Sequence, residues 1–424
     1  MPAVQAPAGP VLVPPAPVAA PRRSQLPALT GIRCFAALNL VFFHFADPHS
    51  FGPLSPVVNG GYISVSFFLL LSGFILTYNY ADRAQRGALT ARSFWSARFS
   101  RLYPVYAFSL LLSGFILTYN YADRAQRGAL TARSFWSARF SRLYPVYAFS
   151  LLLSVGMLMQ EVHAHTRADF GLGVILTPLL LQGWHPALST FWNTPAWTMS
   201  TEAFFYLLFP WLITRRRPRQ VRSLVMILVA AWLSGLVLPA LYMHFHPDGD
   251  LHPDRYSVGI WMRALKFMPL QHLPSFLFGM ALGFLNEKIP PESRKRLAVG
   301  LFAFAGLYLL LCVGDRLPYA FMHDGLLMPL FAGVILCLAG RNWIARFFGL
   351  LPFIAIGEAS YCLYLLHFNL WTLLHDSHFL EKSGLIVFDP WLSYLLLIIA
   401  ALLTKRFIER PGRNWIIRRL QPSN

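Results

Sequence analysis

Apolar residues gather along this chain in long runs separated by short polar and basic segments, and a run of about 20 residues is what a ~30 Å hydrocarbon core asks of a helix. Such runs lie at roughly 29–46, 61–79, 144–160, 196–213, 223–245, 268–285, 297–313, 325–340, 351–370 and 390–406. The pattern predicts an all-α fold, a polytopic transmembrane helix bundle of about ten spans. Residues 1–25 break it: they are rich in Pro and Ala and lack a basic start leading into an apolar core, so they are neither a cleaved signal nor a helix. We expect a disordered cytoplasmic tail over 1–25, a membrane domain over 26–415 and a second cytoplasmic tail over 416–424.

Basic clusters at 83–101, 215–222, 293–296, 341–346 and 405–419 fall in alternate connections. Placing all of them in the cytoplasm orients every span consistently, with both termini inside. One feature disturbs that order. Residues 69–113 recur identically at 110–154, an offset of 41 residues. Helical repeats diverge because each copy packs against different neighbours, so two perfect copies point to a recent duplication or an assembly error, not to a repeat architecture. If the added apolar stretch 103–121 crossed the membrane, the second basic loop, Arg124 to Arg142, would be exported and the short stretch 171–183 would have to cross as well. We therefore expect a hybrid helix at 103–121 that does not fully cross, or a crossing that is poorly folded.

Composition agrees with the pattern. The 424 residues are 56% hydrophobic, 15% aromatic and only 13% charged, with a formal net charge of +18. Soluble domains carry about 25% charged residues, and a nucleic-acid-binding chain of this basicity would carry fewer Leu and Phe, so both classes are excluded. Only five of the 36 basic residues are Lys, which favours guanidinium chemistry. Cys34, Cys312, Cys337 and Cys362 all lie in apolar stretches, where each reads as a packed hydrophobe; no Cys/His cluster has ligand spacing, and no metal is expected. Each copy of the repeated unit carries five Arg and one Asp, so one copy accounts for +4 of the charge.

Ionisable groups inside spans are expensive and mark function more often than not. Arg33 and His44 lie eleven residues apart, about three turns, on one face of the first span. The competing reading of His44 is an interfacial side chain bonded to Asp47. Glu202, in NTPAWTMSTEAFFYLLFP, lies near the outer end of its run at a depth similar to His44, where a carboxylate could raise a histidine's basicity or act as acid or base. Its alternative is a helix-start carboxylate beside a capping Ser200 or Thr201. His367, in GEASYCLYLLHFNLW, is either catalytic or bonded to a backbone carbonyl. Arg98 and Arg101, repeated as Arg139 and Arg142, form pairs three residues apart that can grip a phosphate together or simply anchor the chain on anionic lipid. No P-loop, Rossmann glycine pattern or nucleophile elbow is present.

In this order these motifs resemble the acyltransferase 3 family of integral membrane proteins over residues 26–415. Arg33 and His44 match its Arg-x10-His pattern, Gly61 to Phe74 its second span with FFLLLSGF, and Arg98-x-x-Arg101-x-Tyr103-Pro104, again at Arg139, Arg142, Tyr144 and Pro145, its Arg-x-x-Arg-x-Tyr-Pro element. Trp197 to Tyr206, with Thr198 for the usual Ser, Ser360-Tyr361 through Tyr364-Leu365-x-His367, and Glu409-Arg410-Pro411 complete the set. The resemblance implies transfer of an acyl group, most often acetyl, from cytoplasmic acyl-CoA (acetyl-CoA) to a hydroxyl of an extracytoplasmic carbohydrate or glycolipid acceptor in a bacterial inner membrane. It implies catalytic roles for His44, Glu202 and Arg33, donor binding by Arg139 and Arg142 or by Arg98 and Arg101, and further candidates in His367 and Tyr361. Of the two Arg pairs, the second leads into the continuing span, so Arg139 and Arg142 are expected to serve. Where many members carry Asp between Val and Phe-Phe of the second span, this chain has Ser66. No appended esterase-like domain is expected after residue 424. The rival readings are a glycolipid or small-molecule transporter or flippase, which would want an inverted repeat instead of a direct one, and an enzyme inactivated by its duplication.

Overall fold

The computed structural model describes residues 26–85, 146–214, 220–412 and 415. Both tails, the hybrid segment 103–121 and Arg98, Arg101, Arg139 and Arg142 lie outside the described residues. Among the described residues every regular element is helical, as the apolar runs require: the hydrocarbon offers no partner to a backbone N–H or C=O. The main helices are α1 (Pro27–Phe45), α2 (Ile63–Gln85), α3 (Trp197–Thr214), α4 (Val221–Phe245), α5 (Leu273–Asn286), α6 (Arg294–Cys312), α7 (Met328–Leu338), α8 (Leu351–Asp376) and α9 (Trp391–Thr404).

Six stretches in the described residues are long and apolar enough to cross a membrane: α1, α4, α6, Tyr319–Leu338, α8 and Trp391–Gly412. Two bent pairs, Pro48–Asn59 with Ile63–Tyr78 and Val146–Leu153 with Val155–Ala164, bring the number to eight if each is one span. The second pair departs from the unbroken run expected at 144–160. It turns by 59° at Ser154, whose Oγ donates to the Ser150 carbonyl at 2.7 Å and so competes with the helical ladder at the bend. α5 is also shorter than its apolar run. It has only 14 residues, because 268–272 form a turn whose His272 is tied down by side-chain contacts.

The bundle is organised around α2 and α5, with α1 against α8, α6 against α7, and α4 against α5. Small residues govern the central pair. Gly279 and Gly283, one turn apart on α5, face Leu70, Phe74 and Thr77 of α2, while Gly73 faces Phe276 of α5. A Cβ on Gly279 would run into the Leu70 carbonyl and one on Gly73 into the Phe276 carbonyl, so both backbones approach to a distance that only glycine allows. Without a hydrophobic drive between helices in lipid, such close packing supplies much of the association.

The two copies of the repeated segment contribute different parts. Residues 69–85 of the first copy belong to α2, while residues 146–154 of the second lead into the broken helix. There the buried Tyr147 hydroxyl donates to the Thr177 carbonyl at 2.6 Å, Trp192 Nε1 to the Leu151 carbonyl at 3.0 Å and Asn193 Nδ2 to Ser150 Oγ at 3.2 Å. Residues 147–151 of the second copy are thus held to 177–193 by polar contacts.

Gly279→Leu should destabilise the α2–α5 pair by about 1–3 kcal/mol or more, as overpacking against backbone does, and lower the detergent-solubilised unfolding temperature. Gly171→Ala, where a Cβ meets nothing within 4 Å, should leave that temperature unchanged or slightly raised. Equal effects of the two substitutions would contradict this packing.

Candidate active site

α1 and α8 pack together, and their pairing brings two of the candidate residues into contact. His44, in the last turn of α1, stacks on His367 of α8 with ring centroids 5.4 Å apart and planes 30° from parallel. His44 is exposed, whereas His367 is 1% exposed behind it. Phe368 lies 4.7 Å from both rings, and Phe45 stacks on Trp371 at 4.3 Å, so the pair sits in an aromatic collar.

Hydrogen bonding fixes the chemistry of the inner ring. His367 Nδ1 lies 2.6 Å from the Tyr364 carbonyl, which only accepts, so Nδ1 carries a hydrogen and the neutral form of the ring keeps its lone pair at Nε2. That Nε2 has no hydrogen-bond partner among the described residues. The backbone-bonded alternative for His367 is therefore realised, yet it leaves a basic nitrogen beside His44. For His44 the interfacial alternative is not met, because Asp47 turns instead to the His49 N–H at 3.0 Å and Ser50 Oγ at 3.4 Å.

The other described candidates are buried. Arg33 is 0% exposed, its guanidinium carbon 5.6 Å from the Phe68 ring centre of α2. Tyr361 is fully buried on α8, almost two turns before His367. Glu202 is 2% exposed on α3, in the turn after Trp197. The charge that acts on His44 is Arg255, which lies over the Phe43 ring at 5.2 Å and donates to the Asn59 carbonyl at 3.4 Å.

A second polar cluster lies under the same end of the bundle, and the sequence offered no sign of it. Asp324 accepts from two histidines, His272 Nδ1 at 3.0 Å and His323 Nδ1 at 3.1 Å, all three buried. His272 Nε2 faces the Lys266 carbonyl at 3.0 Å, so both nitrogens of that ring meet acceptors. Lys266 in turn donates to the Arg255 and Ser257 carbonyls, and burial pushes its ammonium down to about 8. The cluster reaches the motif residues on both sides: His272 lies 5.3 Å from the Trp197 ring, and Ser66 Oγ donates to the His323 carbonyl at 2.6 Å. The carboxylate of this neighbourhood thus comes from residue 324 and not from position 66. Separations of 52 and 257 residues leave no spacing signal that could have revealed these contacts.

The profile described as an acyltransferase domain, acyltransferase 3, matches residues 26–130 and 110–405. The chain belongs to the acyltransferase 3 family. The two matches overlap over 110–130, inside the second copy, so the duplicated segment answers to the acyltransferase 3 profile twice. The chain is 25% identical over 275 residues to the acyltransferase MdmB of Streptomyces mycarofaciens, covering 62% of this chain and 58% of that protein. It is 23% identical over 425 residues to the peptidoglycan O-acetyltransferase OatA of Listeria monocytogenes, covering 92% and 56%. It is also 23% identical over 405 residues to the O-acetyltransferase OatA of Staphylococcus aureus, covering 92% and 57%. The chain therefore spans less than two thirds of the length of these relatives. No solved structure matches it.

Asp324→Ala should lower stability by about 3–5 kcal/mol, because two buried imidazoles lose their acceptor, while Ser66→Ala should cost about 1 kcal/mol for one hydrogen bond. Thermal unfolding in detergent measures both. Equal losses would show that the carboxylate does not organise the cluster.

Proposed function

We propose that this protein is an integral-membrane O-acyltransferase that moves an acyl group, most often acetyl, from acyl-CoA to a hydroxyl of a carbohydrate or glycolipid. The observation that carries the reading is the exposed His44 backed by a buried histidine with a spare nitrogen lone pair. Family membership and relatives whose names specify O-acetyl transfer support it. In this reading the ten apolar runs are ten spans of a bacterial inner membrane. Both termini lie in the cytoplasm, as the shared side of the basic clusters requires, and His44 lies at the opposite, extracytoplasmic end.

His44 takes the proton of the acceptor hydroxyl as the oxygen attacks the thioester carbonyl. The C–S bond then breaks, the ester forms, and the imidazolium returns its proton to the departing CoA thiolate. A route through an acyl-histidine requires the same residue as nucleophile. His367, held at Nδ1 by the Tyr364 carbonyl, supports His44 through ring contact. Arg33 and the pair Arg139 and Arg142 draw the donor's phosphates and thioester inward, and Tyr361 lines the route along α8. Glu202, a buried carboxylate on α3, assists His44 as acid or base.

His44→Ala should reduce transfer by about 10²–10⁴-fold, with membrane insertion intact, when CoA release and acceptor acylation are followed together in reconstituted protein. His367→Phe, which keeps the ring contact but removes the lone pair, should lower the maximal rate with little change in donor KM. Undiminished transfer by His44→Ala would sink the proposal. Acceptor movement across the bilayer without acylation would favour the transporter reading.

A further inference from the structure

At the end of α1 opposite His44, about 24 Å along its axis from Ala28 to His44, lies a cavity of about 750 Å³. Its walls include Leu26 to Ala28, Tyr78, Asn286 and the three arginines Arg296, Arg341 and Arg346. Arg296 is 3% exposed and spends all its donors on neutral oxygens: the Asn286 side chain and the carbonyls of Asn286, Ile289, Pro290 and Leu336, at 2.6–3.1 Å. It therefore shapes the wall while no carboxylate bonds to its charge. Arg341 pairs with Glu292 at 2.7 Å in an exposed bridge, and exposed pairs of that kind hold weakly. The Arg346 guanidinium makes no hydrogen bond or ion pair with any described residue. Glu287 also lines the cavity, leaving cations in excess.

The same corner presents an apolar rim. Trp343 and Phe347, on the short helix Trp343–Phe348 that carries Arg346, are exposed, as are Leu350 and Leu351 at the start of α8. Trp at such a level is a membrane-interface residue. Arginines on the wall of a cavity, with an indole and aliphatic side chains at its rim, match a molecule with an anionic head and acyl chains. We infer that this cavity binds the phosphate headgroup of an anionic phospholipid. Arg346 and Arg341 grip the phosphate, and the chains lie along Phe347 and Leu351. The site is separate from the His44 end, and the inference does not rest on the acyl-transfer reading.

The test uses the full chain purified in neutral detergent and titrated with short-chain phosphatidylglycerol, bound lipid being counted by native mass spectrometry. Saturable binding is expected, with affinity falling about tenfold for each of Arg341→Gln and Arg346→Gln and unchanged in Arg406→Gln, an exposed cation away from the cavity wall. Phosphatidylcholine should not compete. Adenosine 3′,5′-bisphosphate, which carries phosphates without acyl chains, should not displace the lipid. Absence of saturable binding, full binding by the Arg341→Gln, Arg346→Gln double variant, or displacement by the bisphosphate would each overturn the inference.

Discussion

The close approach of α2 and α5 is the constraint on which the rest of this bundle depends. Glycine at 73 and 279 lets carbonyl groups of one helix sit where a neighbour's Cβ would otherwise be. α2 then carries Phe68 against Arg33 of α1, and Ser66 against the His323 carbonyl. α5 begins at His272, the residue that clasps Asp324. A wider spacing of this one pair would separate the ends of both polar contacts, and hydrocarbon supplies no water to replace them.

Much of the fold was legible because spanning a membrane imposes a coarse, one-dimensional pattern. The helical class and the approximate positions of the helices follow from runs of apolar residues. The bend at Ser154 did not, because a serine bonding to the carbonyl four residues back looks in sequence like any other serine of an apolar helix. Nor did the shortness of α5, since the turn before it is held by the contact of His272 with Asp324, 52 residues away.

The candidate site divides in the same way. The spacing of Arg33 and His44 placed both on one helix, and motif order placed His367 on another, but only the packing of α1 on α8 makes His44 and His367 a stacked pair. Depth along a span suggested Glu202 as a companion to His44, and depth fixes only one coordinate; the structure places the residue on α3, 2% exposed. Asp324, His272, His323 and Arg255 escaped notice because each is unremarked in its own stretch of chain and gains meaning only from partners on other elements.

The central claim is that one end of this bundle accepts an acyl donor and the other delivers the acyl group to a hydroxyl. Proteoliposomes with labelled acetyl-CoA on the side of the basic clusters and a hydroxyl-bearing glycan enclosed on the His44 side test it directly. The account predicts labelled ester on the enclosed glycan and one equivalent of CoA left outside for each ester formed. Ester formed only on the donor's own side, or enclosed glycan that stays unacylated while CoA is released, would contradict it.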